Sequence, residues 1–130
     1  MKADTPYYHW SQKRILIVED DESSAYLLGE LLKDTGAIID FTTGGEEAVE
    51  YIRQHPDTDL VLMDIHLPEK DGFTATREIK AQFSKVVIFA QTGYAFSVEQ
   101  LEAEEAGCDA FFTKPINTEL LLNKMNGYLT

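Results

Sequence analysis

The chain has little cysteine, few basic residues and no long apolar stretch. Its 130 residues include one cysteine, Cys108, so no internal disulfide can form and packing must hold the fold. Only 11 residues are basic against 23 acidic, a formal charge of −12 that disfavours binding to phosphate backbones. No apolar run reaches the roughly 18 residues of a membrane span, and no signal-peptide core is present. We therefore expect a cytoplasmic protein that binds neither nucleic acid nor membrane directly.

The residues that are present suffice for one folded domain. Hydrophobic residues make up 44% of the chain and aromatic residues 11%, which is enough for one ordinary core. Residues 1–12 show no periodicity and contain Pro6, so they are predicted to be an N-terminal tail or linker, although their aromatic side chains could dock elsewhere. The remaining residues, 13–130, are predicted to form the domain.

Five short apolar runs alternate with longer segments of helical period. The predicted strands are 14–18, 38–41, 60–63, 86–90 and 110–112. The first, third and fourth are almost wholly apolar, as is typical of central strands, whereas Asp40 indicates an edge strand. Apolar residues at helical spacing between the runs, among them Val98 and Leu101, are interpreted as core-facing. The alternation predicts an α/β domain of (βα)5 type, with a parallel sheet covered by helices on both faces.

Acidic residues follow two of these strands. Glu19 and Asp20 come after the first and Asp64 after the third, and ligand sites in such sheets form at the carboxyl ends of strands. Helix capping accounts for the neighbouring Asp21 and Glu22 but not well for Glu19 and Asp20. Two carboxylates about 4 Å apart repel by roughly 4 kcal/mol at an effective dielectric near 20, so a cation is expected. Oxygen ligands without histidine or thiolate chemistry suit Mg²⁺, whose shell is often completed by a phosphate.

Two further strand ends supply groups that can bind a phosphate. Thr92, next to Gly93, follows the fourth strand with a hydroxyl donor and a backbone that a bulky anion can approach. Lys114 follows the fifth strand and precedes Pro115, and its ammonium can serve as a point charge for a phosphate oxygen. Together with Asp64 they predict a magnesium-dependent phosphoryl site.

Four ordered signatures carry a family resemblance. They are ILIVEDD at 15–21, MDIHLPEKDG at 63–72, QTG at 91–93 and GCDAFFTKP at 107–115. With these signatures the chain resembles the receiver domain of response regulators, the phospho-accepting module of two-component signalling. The resemblance implies a flavodoxin-like three-layer sandwich with strand order 2-1-3-4-5.

The resemblance also implies a role for each site residue. Asp64 would be the phosphoacceptor, with Thr92 and Lys114 binding the phosphoryl group and Phe111 acting with Thr92 as the switch. The implied Mg²⁺ ligands are three carboxylates and one main-chain oxygen: Glu19, Asp20, Asp64 and the carbonyl of His66. The phosphoryl donor would be a sensor histidine kinase or a histidine phosphotransfer protein.

Signalling rather than turnover is the activity that the resemblance implies. We expect only weak self-phosphorylation from small donors and slow self-dephosphorylation, with output through the surface of helix 4 and strand 5. Four acids at 99, 102, 104 and 105 disfavour a symmetric contact through helix 4, so the unphosphorylated chain is expected to be a monomer. The sequence fits both a stand-alone receiver and the receiver of a hybrid kinase, and it does not identify the downstream partner.

Three alternatives stand beside this interpretation. The chain could be a receiver-like interaction module that is never phosphorylated. A flavodoxin-like protein shares the fold, but flavin phosphate calls for a Ser/Thr/Gly-rich loop where this chain has four acids. An aspartyl-phosphate phosphatase would need a second aspartate two residues after the nucleophile, where this chain has His66.

Overall fold

Five strands alternate with five helices in the computed structural model, which describes residues 8–93 and 97–130. The strands are β1 (Arg14–Val18), β2 (Ile38–Thr42), β3 (Leu60–Asp64), β4 (Val87–Thr92) and β5 (Ala110–Thr113). The helices are α1 (Glu22–Leu32), α2 (Gly45–Gln54), α3 (Gly72–Gln82), α4 (Ser97–Ala106) and α5 (Thr118–Leu129), with a short 3-10 turn (Lys33–Thr35) after α1. Within the described ranges, no helix combines the length and apolar character needed to cross a bilayer.

The strands form one parallel sheet in the order β2-β1-β3-β4-β5, so the expected topology is confirmed. β2 lies at the edge as predicted, and Ile38 and Phe41 on it are 45% and 50% exposed. β3 and β4 continue past the predicted ends, because Asp64 pairs with Gln91 and Thr92 pairs with Thr113. A polar side chain does not end a strand whose backbone can still pair with a neighbouring strand. Asp64 and Thr92 are therefore the last residues of their strands rather than loop residues.

Alternate strand residues point to opposite faces of the sheet and build two core layers. Ile15, Ile17 and Leu62 face α1 and α5, from which Leu32, Leu121 and Met125 pack against them. Leu16, Val18 and Met63 face α2 and α3, from which Val49, Ile52 and Ile79 pack against them. Because helices cover both faces of the sheet, polar side chains can come together at the carboxyl edge of its strands.

Trp10 belongs to the core although it lies within the segment predicted to be a tail. Its side chain is fully buried, its indole nitrogen donates to Asn126 Oδ1 at 2.9 Å, and its backbone nitrogen donates to the Thr35 carbonyl at 2.7 Å. The Tyr8 hydroxyl donates to Asn123 Oδ1 at 2.5 Å. Tyr8 and Trp10 therefore pack along α5, whereas residues 1–7 lie outside the described part of the chain.

The interpretation of Val98 and Leu101 as core-facing residues is wrong. They are 65% and 60% exposed, and α4 instead buries Ala103 and Ala106 against Ala90 and its neighbours. The hydrophobic spacing correctly predicts a helix here but not which of its faces packs against the sheet. Val98 and Leu101 recur at helical spacing, yet the side chains that fit the close approach of α4 to the sheet are the two alanines.

Candidate functional site

Three carboxylates meet at the carboxyl edge of the sheet. One oxygen from each of Glu19, Asp20 and Asp64 lies within 4.8 Å of the others. Glu19 directly follows β1 and Asp64 ends β3, the neighbouring strand, so the adjacency of these strands brings the acids together. Glu19 and Asp64 are buried, with 2% and 4% exposed, whereas Asp20 is exposed. The cluster thus has a buried floor and one acid open to solvent.

The loop after β3 holds Asp64 in place. Asp64 Oδ1 accepts a hydrogen bond from the backbone nitrogen of His66 at 3.0 Å, and the Ile65 nitrogen donates to the Gln91 carbonyl at 3.1 Å. The chain then returns so closely that a Cβ placed on Gly72 would lie 2.5 Å from the Asp64 carbonyl oxygen. Glycine is needed at 72 because any side chain there would collide with the backbone that carries Asp64.

Lys114 supplies a positive charge to the cluster. Its Nζ donates to Glu19 Oε1 at 2.9 Å and lies 3.6 Å from Asp64 Oδ2. Its backbone nitrogen donates to the Thr92 carbonyl at 2.7 Å, which anchors the end of β5 to β4. The peptide bond that follows, to Pro115, is cis. Lys114 is therefore built into the site rather than being an ordinary surface lysine.

The pKa values of Glu19 and Lys114 are both raised, for different physical reasons. Burial raises the pKa of Glu19, and the nearby charge of Asp64 adds to that rise, while the hydrogen bond from Lys114 only partly offsets it. Burial alone would lower the pKa of Lys114, but its hydrogen bond to Glu19 and the charge of Asp64 outweigh burial and raise it. Each group thus retains its proton more strongly than it would in water.

Thr92 lies at the end of β4 with its side chain fully buried. Its hydroxyl donates to Glu99 Oε1 at 2.9 Å, and His66 Nε2 lies 2.9 Å from the same hydroxyl oxygen. His66 Nε2 is also 3.2 Å from Glu99 Oε2. In the sequence Glu99 is one of four acids on α4, and no pattern there predicts its contact with Thr92.

The structure brings the remaining predicted residues to the same end of the sheet. Phe111 on β5 is half-buried and packs against the cluster that contains Ile65, Ala90 and Ala103. It therefore packs against residues of both β4 and α4. The roles assigned to individual residues, including the His66 carbonyl as a metal ligand, stay predictions.

The donor set fits a hard divalent cation. All three side chains offer carboxylate oxygens, and one of them opens to solvent, which suits an ion such as Mg²⁺ that keeps several waters. Among the residues that the structure describes, one ammonium opposes the two buried acids, so a divalent ion would relieve the remaining repulsion.

Comparison with known proteins agrees with this geometry. The family model described as "Response regulator receiver domain" matches residues 15–126. The chain belongs to this family. This receiver is 36% identical over 118 residues to the chemotaxis protein CheY of Halobacterium salinarum, covering 91% of this chain and 98% of that protein.

Two solved structures place the receiver among its structural relatives. The receiver domain of sensor histidine kinase PA1611 from Pseudomonas aeruginosa PAO1, with a magnesium ion coordinated in its active site cleft, has a TM-score of 0.83 and 29% identity, covering 92% of this chain and 98% of that one. The receiver domain of Ssk1 from Saccharomyces cerevisiae, in complex with the histidine phosphotransfer protein Ypd1, has a TM-score of 0.82 and 27% identity, covering 92% of this chain and 90% of that one. These relatives agree with the predicted family and fold.

Proposed function

We propose that this receiver accepts a phosphoryl group on Asp64 from a phosphohistidine donor in a two-component system. The observation that carries the proposal is the placement of Lys114 Nζ between Glu19 and Asp64, at 2.9 Å and 3.6 Å, in a cluster of three carboxylates. An acidic cluster with one fixed cation suits a reaction whose catalysis consists mainly of positioning and charge neutralisation.

Asp64 is the best nucleophile among the three acids. Both carboxylate oxygens of Glu19 are engaged, one by Lys114 and the other by the backbone nitrogen of Asp21 at 3.1 Å. Asp20 is exposed and lacks a rigid setting of this kind. Asp64 is held through Oδ1 by the His66 nitrogen, in a fixed orientation beside an ammonium.

Transfer of the phosphoryl group from the phosphohistidine to Asp64 needs no other reactant. An oxygen of Asp64 forms a bond to phosphorus while the N–P bond of the phosphohistidine breaks, and the electron pair of that bond stays on the imidazole nitrogen. Lys114 would neutralise charge on the phosphoryl oxygens, and the hydroxyl of Thr92 would donate to one of them. Slow attack of water on the acyl phosphate would return Asp64 to its carboxylate.

Magnesium is the metal that we propose for the acidic cluster. Glu19, Asp20, Asp64 and the carbonyl of His66 would hold it, and the ion would supply positive charge to the phosphoryl oxygens. The fit of three carboxylates to a hard cation supports this, as does the magnesium ion in the related PA1611 receiver.

The phosphoryl donor is proposed to dock beside α1. A groove of about 870 Å³ runs from Glu19 and Lys114 along α1 to the start of α5. Its apolar lining includes Leu27, Leu28 and Leu31 on α1 together with Ile116, and Leu27 is 66% exposed. A kinase or phosphotransfer protein with an apolar face could cover this groove and bring its histidine to Asp64, and the Ypd1 complex of the related Ssk1 receiver supports a partner of this class.

Phosphorylation of Asp64 is tested with a small donor. Acetyl phosphate and Mg²⁺ are expected to add one phosphoryl group to the intact mass of the wild-type protein, and Asp64→Ala is expected to abolish the gain. Asp57→Ala is the matched control, because Asp57 is exposed and precedes β3 at its other end. No gain under conditions that phosphorylate another receiver would favour the alternative, an interaction module that is never phosphorylated.

The docking groove is tested separately. Leu27→Asp is expected to slow phosphotransfer from a phosphorylated histidine partner much more than it slows phosphorylation by acetyl phosphate. Leu120→Asp, on α5 and 56% exposed, is the control for adding a charge to an exposed leucine. Equal slowing by the two substitutions would place the donor elsewhere.

The output surface is proposed to lie on α4 and β5, with the unphosphorylated protein a monomer. Glu102, Glu104 and Glu105 on α4 are exposed and would repel their copies across a symmetric contact. Sedimentation is expected to show a monomer in the absence of phosphodonor, and a tight dimer would contradict this part of the proposal.

A further inference from the structure

Thr92 and Glu99 share a hydrogen bond that competes with the proposed phosphoryl group. The Thr92 hydroxyl oxygen lies 2.9 Å from Glu99 Oε1, and the Thr92 side chain is fully buried. An ionised carboxylate accepts hydrogen bonds but has no hydrogen to donate. The single hydroxyl hydrogen of Thr92 therefore points to Glu99.

His66 completes a triangle with these two residues. Its Nε2 lies 2.9 Å from Thr92 Oγ1 and 3.2 Å from Glu99 Oε2. With the hydrogen of Thr92 directed to Glu99, the tautomer of His66 that carries a hydrogen on Nε2 is the one that can donate to Thr92 Oγ1 and Glu99 Oε2. His66 thus supports the Thr92–Glu99 contact from the loop that also fixes Asp64 through its backbone nitrogen.

A phosphoryl group on Asp64 would need the same hydrogen. Its oxygens are acceptors and carry negative charge, as Glu99 does. The Thr92 hydroxyl has one hydrogen, so a full bond to a phosphoryl oxygen requires the bond to Glu99 to break. The two anions also repel each other when they approach the same hydroxyl.

We propose that Glu99 is a positioning residue that holds the Thr92 hydroxyl away from the phosphoryl site and thereby slows phosphorylation of Asp64. The inference rests on the proposed function, in which Thr92 donates to the phosphoryl group. Glu99 lies in the first turn of α4. When Thr92 turns to the phosphoryl group, Glu99 loses the hydrogen bond from Thr92 and keeps its contact with His66 Nε2, and this change occurs at the start of the helix proposed for output.

Substitution of Glu99 tests the proposal through the rate of phosphorylation by acetyl phosphate with Mg²⁺. Glu99→Ala is expected to raise the rate about tenfold, the size of one hydrogen bond to a charged group. Glu99→Gln retains an acceptor oxygen but loses the charge, so a smaller increase is expected. Glu102→Ala removes the same charge from an exposed position on the same helix and is expected to leave the rate unchanged.

The Thr92→Ala background separates positioning from general electrostatics. If Glu99 acts through the Thr92 hydroxyl, Thr92→Ala and the double variant Thr92→Ala/Glu99→Ala are expected to react at the same rate. An equal increase from Glu99→Ala in both backgrounds would overturn the proposal, and so would an increase with Glu102→Ala that matches Glu99→Ala. Glu99→Gln keeps the test decisive if thermal melting shows that Glu99→Ala is unfolded.

The outcomes for the wild type distinguish the two proposals. If the wild type gains no phosphoryl group while a control receiver does, the proposed function fails and this inference fails with it. If the wild type is phosphorylated but Glu99→Ala reacts no faster, only the positioning role of Glu99 is overturned.

Discussion

Lys114 Nζ and Glu19 Oε1 lie 2.9 Å apart although 95 positions separate the two residues in the chain. Lys114 follows β5 and Glu19 follows β1, and β3 and β4 lie between these strands in the sheet. The lysine side chain therefore reaches back across the end of β3 and passes Asp64 Oδ2 at 3.6 Å. A single ammonium is shared between two buried carboxylates, and this sharing sets several measurable properties of the site.

Replacing Lys114 by methionine is expected to change metal binding and phosphorylation in opposite directions. Mg²⁺ competes with the ammonium for Glu19 and Asp64, so Lys114→Met should bind Mg²⁺ more tightly in a calorimetric titration. Phosphorylation by acetyl phosphate should slow by roughly a hundredfold, as for the loss of one charge-stabilising donor. Lys124→Met, at an exposed position on α5, is the control. Weaker Mg²⁺ binding by Lys114→Met would contradict the competition.

Mg²⁺ is expected to stabilise the protein in a manner that depends on the ionisation of Glu19. Burial raises the pKa of Glu19 above its ordinary value of 4.5, so protons compete with the metal for this carboxylate at a higher pH than they would for an ordinary glutamate. At about 100 times its dissociation constant, Mg²⁺ should add roughly 2.7 kcal/mol to the free energy of unfolding, and this gain should shrink as pH falls through the raised pKa. Melting temperatures with and without Mg²⁺ between about pH 5 and 8 provide the measurement.

Without Mg²⁺, the free energy of unfolding is expected to change with pH in the opposite direction. Between its ordinary pKa and its raised pKa, Glu19 keeps its proton in the folded protein but loses it in the unfolded chain. The free energy of unfolding is therefore expected to fall as pH rises through this window. Glu19→Gln should lose this contribution and most of the Mg²⁺ response, whereas Glu22→Gln, at an exposed position, should retain both. A full Mg²⁺ response in Glu19→Gln would remove Glu19 from the ligand set.

Two glycines are expected to respond oppositely to alanine. A Cβ at Gly72 would lie 2.5 Å from the Asp64 carbonyl oxygen and 2.6 Å from Ile65 Cα, so Gly72→Ala should destabilise the protein by about 1–3 kcal/mol and slow phosphorylation. Gly127 on α5 has no heavy atom within 4 Å of its added Cβ, and Gly127→Ala should stabilise the helix by up to about 1 kcal/mol. Urea unfolding measures both, and equal effects would show that backbone contact at Gly72 is unimportant.

Removing Trp10 is expected to destabilise the domain by about 3–5 kcal/mol, because its side chain is fully buried and hydrogen-bonded to Asn126. Tyr26→Ala is the control for losing an aromatic ring, since Tyr26 is 64% exposed and a change within about 0.5 kcal/mol is expected. Denaturant unfolding of Trp10→Ala with wild-type stability would show that residues 8–12 are dispensable for the fold.

The sequence predicts the sheet and the identity of the acidic site because both follow from local patterns. Apolar runs of strand length give the strand order once the family resemblance is added, and polar residues after those runs give Glu19, Asp64 and Lys114. The burial of Trp10 could not be predicted, because its partner Asn126 is 116 positions away and no local period marks either residue.

The surroundings of Thr92 could not be predicted for a different reason. Glu99 has three glutamate neighbours on the same helix, and only the rotation of α4 against the sheet decides which one turns toward Thr92. That rotation is set by Ala103 and Ala106, whose small side chains fit the sheet. The exposed Val98 and Leu101 led to the prediction of the wrong inner face, because hydrophobic spacing favours large apolar residues as the buried ones and here the buried residues are alanines.

Because α4 is attached to the sheet by two alanines, we expect it to be displaced more easily than α5. Each buried methyl group contributes roughly 0.8 kcal/mol, so Ala103 and Ala106 together attach α4 only weakly to Ala90 and its neighbours. By contrast α5 buries Leu121, Leu122, Met125 and Leu129, whose removal from the core would cost several times more. We therefore expect a change of a few kcal/mol at the end of β4 to be large enough to tilt α4 yet too small to displace α5, so that movement on phosphorylation would be concentrated on the α4 side of β5.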